Sequence, residues 1–243
     1  MAAGSVSYGG KSQVTSTTAS TVTKTISTGS TCELVVASII VTGTSALTTT
    51  VTFGGVDMIQ VGAIVATTEG SVQMWYTVTN TNSRSSVPVS YKNKNGYTNS
   101  CMISWYNSSG TLVLSDNESG FSTSGQSAQL NLVNGLNNGF AAVDVWHSGY
   151  STLTGTTKNR SVLYDEDRGT LIASSQYGIG TGTASYPMLH STPSSDDWAM
   201  IAASWVDNTT QAFASANTVT YADVSSIDGV LRADIGTADD VLF

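Results

Sequence analysis

The chain has 243 residues, of which 11 % are charged, and its 17 Asp and Glu against 9 Lys and Arg give a formal net charge of −8. Such a surface repels phosphate, and the closest cations, Lys92 and Lys94, make too small a patch to bind it, so no nucleic-acid partner is expected. No apolar run reaches the ~18 residues of a membrane span, so no membrane partner is expected either. Polarity comes mainly from hydroxyls, 36 Ser and 35 Thr, and with 23 Gly and only 3 Pro the composition is that of an all-β protein.

Residues 1–20 are rich in Gly, Ser and Thr and poor in apolar anchors, which predicts an N-terminal arm that orders only against a surface. The start, Met1-Ala2-Ala3-Gly4-Ser5, has neither the basic opening nor the apolar stretch of a signal peptide, so secretory export is not expected. From residue 21 a regular β pattern sets in. Residues 21–26 alternate as a half-buried strand. Residues 33–41 are nearly continuous aliphatics and predict a central strand. Residues 48–53 alternate up to Gly54-Gly55, a hairpin signal. Residues 56–66 run back, Glu69-Gly70 turns the chain, and 71–79 form the next strand. In 87–91 a strand is predicted at a sheet edge because of Pro88. Asn95-Gly96 is a turn, and strands follow at 99–107 and 111–114.

The second half continues in the same style. Residues 127–133 alternate, 139–147 are apolar and predict a second central strand, and 148–159 read as a loop. Residues 160–174 contain a strand bent around Asp165-Glu166-Asp167-Arg168-Gly169. Gly178-Ile179-Gly180-Thr181-Gly182 reads as a loose segment, and Trp198-Ala199-Met200-Ile201-Ala202-Ala203-Ser204-Trp205-Val206 closes the domain. A dozen short strands without a helical stretch predict an antiparallel sandwich or barrel over residues 21–206.

Residues 207–243 form a tail with an internal repeat. Ala222-Asp223-Val224-Ser225-Ser226-Ile227-Asp228-Gly229-Val230-Leu231-Arg232 is followed by Ala233-Asp234-Ile235-Gly236-Thr237-Ala238-Asp239-Asp240-Val241-Leu242-Phe243, with Ala, Asp, a β-branched aliphatic, Val and Leu recurring at a spacing of 11. Two copies are too few for a solenoid that folds alone. The pattern therefore predicts a docking tail whose apolar positions, Val224, Ile227, Val230, Leu231, Ile235, Val241, Leu242 and Phe243, meet a neighbour.

Residues for chemistry are few. The only neutral-pH bases are His147, expected at a strand end, and His190, expected in a loop between Pro187 and Pro193. Serines are so common that one near a histidine carries no information about a triad, and no G-x-S-x-G elbow is present. The carboxylates of Asp165-Glu166-Asp167 and Asp196-Asp197 offer pairs for glycoside cleavage or oxygens for calcium, without a diagnostic spacing for either. Cys32 and Cys101 read as buried free thiols; a disulfide needs them to be spatial neighbours. The expectation is a non-enzyme with no cofactor and no metal. Tyr97, Tyr150, Tyr177 and Tyr186 fall in predicted loops, where tyrosines either pack the loop or face a ligand.

The order of the strands resembles a jelly-roll-like β-sandwich module of bacteriophage tail and other surface proteins and of bacterial surface proteins. The matching segments are Leu34-Val35-Val36-Ala37-Ser38, Val51-Thr52-Phe53-Gly54-Gly55, Val72-Gln73-Met74-Trp75-Tyr76, Ile103-Ser104-Trp105-Tyr106 and the strand from Trp198 to Ala203. Each is degenerate, so the likeness rests on their order. The tail phrases Ser225-Ser226-Ile227-Asp228-Gly229-Val230 and Ala233-Asp234-Ile235 resemble segments of structural proteins of environmental phages. The resemblance implies a structural virion protein, made in the host cytoplasm and working in the particle, with a capsid-decoration or head-surface position preferred over a tail position. Its expected partners are other virion proteins and copies of itself, as a trimer or another symmetric cluster. The alternative is a carbohydrate-binding adhesion module of a tail or fibre, with a host surface glycan as partner. That reading requires loop tyrosines and acidic loop residues to converge on one end of the sandwich.

Overall fold

The computed structural model describes residues 5–16, 21–28, 32–42, 50–79, 86–92, 98–134, 139–150, 152–167, 172–182, 185–208, 226–227 and 230–231. The chain divides into two units, Ala3–Thr209 and a second made of Thr210–Phe243 with Met1–Ala2. Every regular element among the described residues is a β-strand, and every pairing is antiparallel.

The first unit is built from three sheets. The central one runs β1 (Val6–Ser16), β10 (Asn99–Ser108), β3 (Cys32–Thr42), β8 (Gly70–Val78) and β6 (Ile59–Gln60), with β7 (Val65–Ala66) also on β8. A smaller sheet orders β2 (Thr21–Ile26), β9 (Val87–Lys92), β4 (Val51–Phe53) and β5 (Val56–Asp57). The third orders β11 (Leu112–Val133), β16 (Ser185–Asp207), β12 (Gly139–Ser148), β15 (Ile172–Thr181) and β14 (Ser161–Asp167), with β13 (Thr157–Lys158) on β16.

Successive side chains of a strand point to opposite faces, and β3 is apolar on both. Leu34, Val36 and Ile40 pack with Met74, Met102 and Tyr106 against Ala141, Val143, Val145, Ile201 and Trp205 of the third sheet. Val35, Ala37, Ile39 and Val41 pack with Cys101 and Ile103 against Val22, Ile26, Val51, Phe53, Val89 and Tyr91 of the small sheet. The central sheet is thus covered on both sides, which is why residues 33–41 carry no alternation. Strand β12 is buried at all ten positions for the same reason: its other face, Ala142 and Trp146, packs with Met200 and Ala202 against Ala128, Leu130, Leu132 and Met188.

That last layer comes from the two longest strands. β11 and β16 pair from Leu112↔Asp207 to Val133↔Ser185, with register shifts around Gly125. Their inner halves lie within the third sheet; their outer halves fold over its far face. Bulges bend and twist strands in this way. A Cβ on Gly125 would stand 2.4 Å from the Trp198 indole nitrogen, so only glycine lets the indole close on the bend.

Several expectations change. Residues 6–16, assigned by composition to an arm, form β1, an edge strand paired with β10 along its length. Its order comes from backbone pairing, which composition does not register, and from a few anchors: Val6 and Tyr8 on one core cluster and Val14 on another. A bulge at Gly9-Gly10 accommodates Trp105, whose ring would lie 2.5 Å and 2.4 Å from added Cβ atoms. β9 lies between β2 and β4 instead of at an edge. Pro88 is tolerated there because β4 has turned away at Gly54, whose N–H donates to the Pro88 carbonyl. Residues 56–66 form three two-residue strands, and the segments around 178–181 and 187–193 are strand. Cys32 and Cys101 are buried free thiols.

In the second unit, β17 (Ser226–Ile227) and β18 (Val230–Leu231), both within the first repeat, pair antiparallel. Val224, Ile235, Val241, Leu242 and Phe243 lie outside the described residues, as do the side chains of Ile227, Val230 and Leu231.

Candidate functional site

The expected bases are not at the surface. His190 lies in β16, and His147 near the end of β12; both are fully buried. His190 Nε2 is 2.9 Å from Asp144 Oδ2, and its ring stacks on Trp146 at 4.6 Å and 12°. Its Nδ1 has no partner among the described residues, so none of their serines completes a triad through it. Asp144 is itself fully buried, and its carboxylate also accepts from the Gln176 backbone N–H and from Gln176 Nε2, both at 2.8 Å. A carboxyl group is held in a dry interior only when its oxygens are hydrogen-bonded in this manner.

His147 lies 3.4 Å from the Thr67 hydroxyl. Burial lowers its pKa from 6.5 to about 4, against the smaller opposing pull of the Asp197 charge and the Gly70 backbone. Asp197 accepts from the Thr68 hydroxyl at 3.0 Å and the Gly149 N–H at 3.1 Å, which ties two turns to β16. The other carboxylates are similarly engaged: Asp165 pairs with Lys158 at 2.7 Å, and Glu166 accepts from Ser100 at 2.9 Å. Among the described residues no three His, Cys, Asp or Glu side chains group as a metal site.

The Asp144 network leads outward to a surface recess. Gln176 Oε1 accepts the Arg160 backbone N–H at 2.9 Å, and Gln176 Nε2 also donates to the Leu189 carbonyl at 2.9 Å. Asn159 closes the rim, donating to the Pro187 carbonyl at 3.0 Å and accepting from the Leu189 N–H at 2.9 Å. The Arg160 guanidinium lies 3.8 Å over the Tyr186 ring, and its Nε donates to the Pro187 carbonyl at 3.1 Å. Tyr186 meets Phe140 edge-on at 4.8 Å and lies across Gly178, where a Cβ would collide with its hydroxyl. Tyr177 stacks on Tyr8 of β1 at 4.3 Å and 20°. Lysine from the same strand, Lys11, donates to the Leu163 carbonyl of β14 at 2.6 Å and fastens the two sheet edges together. The result is a recess of about 510 Å³ lined by Asn159, Arg160, Ser161, Tyr177, Gly178, Ile179 and Tyr186.

Of the four tyrosines singled out in the sequence, Tyr177 and Tyr186 meet at this recess, from strands and not from loops. Tyr150 packs against the cluster around Trp146, and Tyr97 lies outside the described residues. Arg160 carries no sequence signal: it enters the recess through pairings between segments distant in the chain. Compared with protein-family models, with curated proteins and with solved structures, the chain matches none.

Proposed function

We propose that the chain is a structural, non-enzymatic protein of a bacteriophage particle, a capsid-decoration or head-surface component whose β-body is displayed and whose C-terminal unit is the attachment. The observation that carries this reading is the division after Thr209, which separates a layered body from a unit that holds the two 11-residue repeats. A body covered on both faces of its central sheet suits a part that must stay folded outside a cell. A tail ordered against neighbours spreads contact over large areas, and the ordering entropy is lost at assembly, where many copies reinforce one another. Both histidines are committed to the interior, which favours a structural role for the polar residues around them. The test is quantitative mass spectrometry of purified particles from infected host cells. The reading expects the chain at a copy number comparable to that of the shell protein. Its presence only in the cell lysate would overturn it.

A further inference from the structure

We propose that the Arg160–Tyr186 recess is a binding site for an acidic saccharide, a sugar ring that bears a carboxylate. The inference goes beyond the structural role and does not depend on it, since a body attached through its tail can carry such a site or lack it.

Three features point to this ligand. First, Arg160 is a cation without an acid. In a chain where 17 Asp and Glu outnumber 9 Lys and Arg, Lys158 pairs with Asp165, whereas Arg160 has no carboxylate partner among the described residues. Its Nε is held by Pro187 and its face by Tyr186. Its terminal nitrogens therefore have a fixed direction and no acceptor among the described residues. A planar guanidinium fork matches a carboxylate in a two-point contact, and fixing it in advance lowers the cost of ordering on binding. Second, the remaining lining offers hydroxyls beside an apolar side chain. Ser161, Tyr177 and Tyr186 carry hydroxyls without a hydrogen-bond partner among the described residues, and Ile179 is 41 % exposed. A sugar presents this same alternation of hydroxyls and C–H faces. Third, about 510 Å³ is the size of a small-molecule site; it accommodates one or two sugar rings. The backbone groups of Arg160, Pro187 and Leu189 beside it are already bonded, to the side chains of Gln176, Asn159 and Arg160.

The experiment is titration calorimetry on the full chain with trigalacturonate and 3′-sialyllactose. Fully methyl-esterified trigalacturonate and lactose serve as neutral counterparts, and a blocked Ala-Asp-Asp-Val peptide as a carboxylate from another source. At least one acidic sugar should bind saturably, with a Kd of about 1 mM or tighter. Its neutral counterpart and the peptide should bind at least about tenfold more weakly, because a charge-assisted two-point contact is lost or its sugar framework is missing. Arg160→Gln should weaken binding by a similar factor. Should that variant fail to fold, Ile179→Glu places a like charge in the recess from an already exposed position and should abolish binding with the circular dichroism spectrum unchanged. No saturable binding by either acidic sugar, equal binding of the neutral counterpart or the peptide, or unchanged binding in folded Ile179→Glu would each overturn the proposal.

Discussion

Acid should destabilise the body through His147, and the size of the effect follows from its surroundings. The side chain is fully buried in β12, between β15 and β16, where its register partners are Ala173 and Ala199. Burial lowers its pKa from 6.5 to about 4. The unfolded chain therefore takes up a proton near pH 6.5, while the folded chain keeps the imidazole neutral down to about pH 4. Between those values the unfolded state binds more protons, so stability rises with pH across the window and is lost as pH falls through it. At 1.36 kcal/mol per unit, the full displacement is worth about 3 kcal/mol, of which about 2 kcal/mol is expressed between pH 7 and pH 5. The comparison needed is with His147→Gln, which keeps every other ionisable group and removes only this proton. Urea unfolding followed by tryptophan fluorescence gives the free energy of each protein at pH 7 and pH 5. The wild type should lose about 2 kcal/mol more than the variant over that interval. Equal losses would refute the argument and mean that the imidazole is hydrated or protonated in the fold.

Asp144→Ala leaves His190 and both hydrogen-bonding groups of Gln176 without their acceptor in a dry interior, and should cost about 3–5 kcal/mol in the same urea assay. Gly125→Ala drives a methyl group into Trp198 at the bend of β11 and should cost about 1–3 kcal/mol, with a change in the tryptophan emission spectrum. Leu34→Ala, at a fully buried position facing the third sheet, should cost about 2–5 kcal/mol. Val56→Ala, at a residue 69 % exposed, should shift the transition by less than about 0.5 kcal/mol.

What the sequence conveyed about this fold depended on how each segment is buried. Residues 33–41 and 139–147 were legible as central strands because both of their faces meet a core, so the run is continuously apolar. Residues 21–26 were legible through alternation, since one face of β2 lies on the core and the other is open. Residues 6–16 and the middle of β11 were not. They hold their place through backbone pairing at an edge, where Ser, Gly, Asn and Asp serve as well as valine. The fold-over of β11 and β16 was equally hidden, because periodicity reports which side of a strand is covered and not what covers it. In the recess, Tyr177 and Tyr186 were visible as aromatics worth following. Arg160 was not, because its significance lies in having no acid partner among the described residues, a property of the folded chain alone. Asp144 and His190 are 46 residues apart and meet only through the pairing of three strands.

The central claim is that the body folds by itself and the C-terminal unit attaches it. The direct measurement is the behaviour of a chain truncated after Thr209, assayed by thermal unfolding and by co-sedimentation with phage particles that lack the protein. The account predicts the melting temperature of the full chain within about 2 °C, a shift that corresponds to less than about 1 kcal/mol, together with loss of co-sedimentation that the full chain retains. An unfolded truncation, or a folded one that still sediments with the particles, would contradict it.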